Sequence, residues 1–204
     1  METQEITENQ IYELSLQKEI VKNSKPMGKR SDFPKRERDY YPTPFEVAEP
    51  LFPFLKDVST FVEPMSGDGS LVRHLETTHM ECLWSSDIEP QDNGIKKQDA
   101  FTIEEPSIFE ADVIITNPPW TRPILHKTIE YFINMKPTWL LFDHDWTCTK
   151  QSAPLMRYCR KIIAVGRVKW IPGTKHTSKD SVCWYLFTKQ DSGAPRFYGR
   201  GYQC

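Results

Sequence analysis

Asn117, Pro118, Pro119 and Trp120 are the residues of this chain whose types and order could do chemistry together. They follow an apolar run, 111–116, in which Val113, Ile114 and Ile115 read as a buried strand. Two consecutive prolines cannot extend a ladder, because each lacks an N–H and fixes its own φ. The strand must stop there in a stiff turn. That turn offers an amide side chain at Asn117, a bare carbonyl at Pro118 and an aromatic face at Trp120. Two acceptors beside a ring suit a planar ligand that bears an amino group. The same residues would also serve as a plain strand terminator, and the rest of the chain has to separate the two readings.

A second group stands upstream. Phe61-Val62-Glu63-Pro64 reads as a short strand running into a glycine turn with Gly67 and Gly69, then a helical spacing of Leu71, Val72 and Leu75. Strand, glycine turn and helix make the first half of a doubly wound nucleotide-binding unit. Only one spaced glycine pair is present, short of the dinucleotide fingerprint, which favours a ligand without pyrophosphate. The next strand, 82–90, carries Asp87 at its tip, roughly twenty residues past the glycines, where an acid can take ribose hydroxyls. Glu89 lies further into the loop, so the ribose is assigned to Asp87. Asp99 and Phe101 fall in a short strand and loop, and alone would be ordinary loop residues. Ahead of all these, Thr43, Pro44 and Glu46 spell a capping box for a helix that buries Phe45, Val47 and Leu51.

In series, these segments resemble the S-adenosylmethionine-dependent amino-methyltransferases, chiefly the adenine-N6 DNA enzymes. Asn117-Pro118-Pro119-Trp120 is similar to the catalytic motif of that family. Tyr41-x-Thr43-Pro44, placed before the glycine turn as in the gamma arrangement, resembles the motif over the methionine part of the cofactor. Glu63-Pro-x-x-Gly67-x-Gly69 resembles the cofactor loop, and Asp87-Ile88-Glu89-Pro90 the ending of the second strand. Asp99-x-Phe101 matches the place where a carboxylate takes the adenine amine of the cofactor and a ring packs on the base. The resemblance covers residues 40–189 and extends, in the small N-terminal arm and lack of a separate recognition domain, to compact phage-type enzymes.

The resemblance implies a class I methyltransferase fold: an α/β Rossmann-like sheet, mostly parallel with an antiparallel C-terminal strand pair, and helices on both faces. It implies S-adenosyl-L-methionine as cofactor, held by Tyr41, Thr43, Pro44, Glu63, Gly67, Gly69, Asp87, Ile88, Asp99, Phe101 and Asn117. It further implies that the Asn117 oxygen and the Pro118 carbonyl accept the protons of an adenine amine while Trp120 stacks on the ring. Arg122, Trp170 and Lys175 would complete the surface for DNA. Other substrates stay open: RNA adenine or guanine amines, cytosine N4 (where Ser is commoner at the place of Asn117), or a protein glutamine (where Tyr or Phe is commoner than Trp120). A non-catalytic cofactor- or nucleic-acid-binding module is the reading from another class.

The remaining elements follow from pattern. Ile124, Leu125, Ile129, Phe132 and Ile133 predict a core helix after the Pro-Pro turn, with His126 structural or exposed. Residues 138–142 predict a strand ending beside that turn in Asp143-His144-Asp145-Trp146. A helix is expected over 153–161, and strands over 161–171, closed by Trp170, and 181–187. Net charge is only −2, but basic residues gather in 22–38 and 157–189, a distribution suited to phosphates. Residues 1–38 read as a flexible basic arm, 39–190 as the methyltransferase domain and 191–204 as a tail. The five cysteines form no C-x-x-C pair, so reduced thiols are expected and no metal site. With no signal peptide and no membrane-length apolar stretch, the expected location is the cytoplasm, that of a host if the chain is phage-encoded.

Overall fold

The computed structural model describes residues 41–104, 106–171, 177–190 and 193–202; the expected basic arm, Lys175 and Cys204 lie outside them. Strands β1 (Thr60–Glu63), β2 (Glu81–Asp87), β3 (Lys96–Lys97), β4 (Val113–Thr116), β5 (Thr138–Asp143), β6 (Cys159–Arg167), β7 (Ser181–Phe187) and β8 (Arg196–Tyr198) form one sheet. Its order is β3-β2-β1-β4-β5-β7-β6-β8. All pairings are parallel except those of β7, which runs against both β5 and β6.

Alternation along each central strand feeds two cores. Val113 and Ile115, Trp139 and Leu141, and Val182 and Trp184 face one side. Ile114, Leu140, Phe142, Cys183 and Tyr185 face the other. A sheet apolar on both faces must be covered on both. One cover is α1 (Phe45–Ala48), the following 3-10 turn Glu49–Phe54, and α2 (Ser70–Leu75), through Val47, Leu51, Leu71 and Leu75. The other consists of α3 (Pro106–Glu110), α4 (Arg122–Phe132) and α5 (Ala153–Met156), through Ile108, Leu125, Ile129 and Leu155. Fully buried Trp184 donates its indole N–H to the Val47 carbonyl at 2.8 Å, which binds α1 to β7.

The chain winds outward from β1 to β3 and then crosses back to β4. The carboxyl ends of β1 and β4 therefore flank the strand-order reversal, where open α/β sheets leave a crevice.

Local expectations gave way where tertiary pairing competed. The capping box does not form: Pro44 is the N-cap of α1 without a side-chain bond, and the Thr43 hydroxyl is taken by Asn117. Phe45 is exposed rather than buried. The helix expected over 153–161 stops at Met156, because Cys159 already pairs with Phe187. At its far end β6 stops at Arg167, opposite Ser181 where β7 begins, so Trp170 lies beyond the strand. The third strand is confined to Lys96–Lys97, ahead of Asp99, and Phe101 falls in a 3-10 turn. β8 was not anticipated; a three-residue edge strand has too little apolar period to be seen.

Candidate functional site

The crevice holds a cavity of about 650 Å³. Its floor is built by the end of β1. Gly67 (φ 56°) and Gly69 (φ 73°) both take the left-handed conformation that only glycine adopts without strain. A Cβ on Gly69 would also stand 3.2 Å from the Arg73 guanidinium and 3.3 Å from Ile95. The turn is stitched to the end of β2. The Gly67 N–H donates to Asp87 Oδ2 at 2.8 Å, and the Ser66 N–H to the Ser86 carbonyl at 2.9 Å. Asp87 Oδ1 accepts the Glu89 N–H at 2.8 Å. Asp87 is thus oriented by two amides, and each of its oxygens keeps a lone pair for a ligand.

Beneath this turn Glu63 is 2% exposed, and its Oε2 has no hydrogen-bond partner among the described residues. Burial, and then the charges of Asp87 and Asp68, push its carboxyl well above the usual carboxylate range. A cationic ligand would relieve that cost. Five acidic side chains line the cavity, those of Glu63, Asp68, Asp87, Glu89 and Asp99, and no Lys or Arg is among the described lining residues. Such a wall repels phosphate and favours a positively charged guest.

Asn117 closes the opposite end, directly after β4. Its Nδ2 donates to Thr43 Oγ1 at 3.2 Å, and its Oδ1 accepts the Trp120 indole N–H at 3.2 Å. Pro119 lines the cavity beside it, whereas Pro118 is buried behind. Tyr41, Thr43, Ile88, Asp99, Ala100 and Phe101 also face the cavity. Asp99 Oδ1 accepts the Phe101 N–H at 2.9 Å and so holds the 3-10 turn that presents that ring. The Lys127 ammonium stands 3.9 Å over the Phe101 ring.

Several expected residues take other places. Pro44, Gly69, Pro118, Trp120, Arg122 and Trp170 do not line the cavity. Trp120 turns inward: besides Asn117, its N–H reaches the Leu141 carbonyl at 3.0 Å, and its ring meets Trp170 edge to face at 5.6 Å. Trp170 lies between Trp120 and Tyr41, whose ring is 6.2 Å away. Arg122 makes a bidentate pair with Asp143 at 2.8 and 3.0 Å, and Asp143 also accepts the Trp146 N–H at 3.0 Å. His126 accepts the Trp146 indole N–H at 3.0 Å, which requires a neutral ring; burial and then Arg122 hold its pKa down. No group of three or more His, Cys, Asp or Glu among the described residues is arranged to hold a metal.

Sequence reasoning missed other lining residues. Met65, Ser66 and Asp68 lie inside the glycine turn and could have been included with it. Thr121 and Ile124 enter from the start of α4. Ile124 fits the helical core spacing yet is 39% exposed, so periodicity pointed away from its position.

No family model and no curated protein sequence matches this chain. Solved structures do. One is a protein assigned to the class I S-adenosylmethionine-dependent methyltransferases of Listeria monocytogenes, with a TM-score of 0.51 at 12% identity, covering 98% of this chain and 75% of that one. Another is a chain of a type I restriction-modification system, with a TM-score of 0.50 at 8% identity, covering 77% of this chain and 44% of that one. A type I restriction enzyme modification subunit from Vibrio vulnificus follows at a TM-score of 0.46 and 12% identity, covering 98% of this chain and 55% of that one. The chain thus spans about half the length of the two restriction-modification proteins. At such identities the likeness shows the fold, and that fold is the class I methyltransferase sheet: Rossmann-like, mostly parallel, with an antiparallel strand pair near its end.

Proposed function

We propose that this chain transfers a methyl group from S-adenosylmethionine to the exocyclic N6 amine of adenine in DNA. The observation that carries the reading is one cavity that joins an acid-lined glycine turn to the Asn117 amide. The residues present fit the cofactor. Asp87 offers oriented acceptors to a ribose, the partnerless Glu63 oxygen awaits a cation, and Asp99 with Phe101 suits an adenine ring. Tyr41 and Thr43 close the cavity from the segment before α1. When bound, S-adenosylmethionine supplies an electrophilic methyl group on a sulfonium.

The chain's own residues then act on the acceptor amine. Its lone pair is delocalised into the ring, which makes it a poor nucleophile. The Asn117 oxygen holds one amine proton, and the Pro118 carbonyl, set behind the cavity wall, is the proposed acceptor of the other once the base is seated, favouring a pyramidal nitrogen. Both acceptors bind more strongly as positive charge grows on that nitrogen, so they stabilise the transition state rather than the ground state. A base inside a duplex cannot reach this crevice and has to be flipped out or already single-stranded. Basic residues in 22–38, with Arg122, Trp170 and Lys175, are the proposed contacts to DNA, and the cytoplasm is the proposed setting.

The test is methyl transfer from labelled S-adenosylmethionine to unmethylated double-stranded DNA, single-stranded DNA and RNA, followed by nucleoside mass analysis. N6-methyladenine in DNA is expected. Label in RNA alone would replace the substrate, label on cytosine would replace the base, and none with cofactor bound would reject transfer to nucleic acid.

A further inference from the structure

Trp120 is half-buried, packs against both cores and presents no surface to the cavity. Its indole N–H instead points at two acceptors, Asn117 Oδ1 at 3.2 Å and the Leu141 carbonyl of β5 at 3.0 Å. An indole N–H only donates. The Asn117 amide has two ends of similar size and opposite function, and a half-turn about its last side-chain bond exchanges them. At the far end, Nδ2 meets the Thr43 hydroxyl at 3.2 Å. A hydroxyl both donates and accepts, so Thr43 tolerates either orientation. Trp120 does not: with the amide reversed, an NH₂ would face the indole N–H, donor against donor.

We propose that Trp120 is a positioning residue, a donor clamp that keeps the Asn117 oxygen available as an acceptor and its NH₂ turned toward Thr43. The Leu141 carbonyl holds the indole in place from the neighbouring strand, so the clamp ties the orientation of one side chain to the β4–β5 pairing. This goes beyond the proposed function and rests on it for its catalytic consequence, though the orientation itself does not. A stacking role for Trp120 needs only an aromatic ring; a clamping role needs the N–H.

Two replacements separate these. Trp120→Phe keeps a ring and removes the N–H. Site-specific β-(3-benzothienyl)alanine at the same position keeps the indole's shape and places sulfur where the N–H was, which guards against a Phe variant that packs poorly. Two readouts are taken: steady-state methylation of an adenine-containing oligonucleotide, and the ¹⁵N–¹H signals of the Asn117 side-chain amide in the full chain. The clamp predicts a kcat lower by about five- to ten-fold, the worth of one neutral hydrogen bond, with KM for the oligonucleotide unchanged. It also predicts displaced or doubled Asn117 amide signals in the benzothienyl protein. Unchanged kcat in the benzothienyl protein, or a loss confined to KM, overturns the proposal. If the unaltered protein methylates no nucleic acid, the function fails separately, and the amide signals still decide the clamp: unmoved signals overturn it and displaced ones support it.

Discussion

At the residue scale the site rests on an amide and a carboxylate that the fold places in unusual positions. Asn117 is held at both ends, so its alanine variant should lose transfer by far more than ten-fold while cofactor binding persists. Single-turnover methylation beside equilibrium cofactor binding measures this, and retention of more than about a tenth of the rate, under roughly 1.4 kcal/mol, would rule out the assigned role. Glu63 carries the pH dependence. Its folded pKa is raised, so the protonated form is the stable one in the ligand-free protein. The stability associated with that form is complete below the unfolded pKa, about 4.3, and is lost as pH rises through the folded value. Glu63→Gln should therefore raise the Tm of the ligand-free protein at pH 8 and leave it unchanged at pH 4. The same change should weaken S-adenosylmethionine and remove a proton release on binding, seen by calorimetry in buffers of different ionisation heat. An equal Tm gain at both pH values would contradict the titration.

At the element scale, side chains at strand ends hold the rim together. The Asp112 carboxylate accepts the Ser59 and Thr60 N–H groups at 2.8 and 2.9 Å and fastens the start of β1 to that of β4. Those bonds keep its carboxyl below the ordinary aspartate range. At the other end, Arg122 and Asp143 join the first turn of α4 to the end of β5. Asp143 is 8% exposed, so removing its partner leaves a buried charge without its counter-ion. Arg122→Ala should cost about 2 kcal/mol, a figure reduced for the partial exposure of the Arg side chain. Denaturant titration checks it, and a loss below about 0.5 kcal/mol would make the pair an ordinary surface one. This engagement limits how freely Arg122 could reach a phosphate.

At the scale of the whole molecule, charge is divided. The cavity between β1, β2 and β4 is walled by carboxylates, whereas Arg167, Lys169 and Lys179 are exposed near the meeting of β6 and β7. Acid in the crevice and base elsewhere suit the proposed pairing of a cationic cofactor with a polyanionic substrate in one chain of net charge −2. Deleting residues 1–38 should lower nucleic-acid affinity and flatten its dependence on salt, because fewer phosphates would be neutralised. An unchanged slope of log affinity against log salt would show that the segment touches none.

Much of this architecture was legible without coordinates, because the signals are local. Val-Ile-Ile before Pro-Pro can only be a buried strand that stops, and a glycine pair after Phe-Val-Glu allows a turn that few other residues can make. β1, β2, β4, β5 and β7 follow from such runs. The capping box at Thr43 was equally local and did not form, since the hydroxyl faces an acceptor-seeking amide from 74 positions along the chain. The inward turn of Trp120, the pairing of Arg122 with Asp143 and the strand at Arg196–Tyr198 have no local signature at all. Residue type and order determined that β1, β2, β4, β5 and β7 exist and that the Pro-Pro turn and the glycine pair follow two of them. Only the tertiary structure decided which hydrogen-bonding groups meet, because each of those contacts needs a partner that the sheet brings in from another strand.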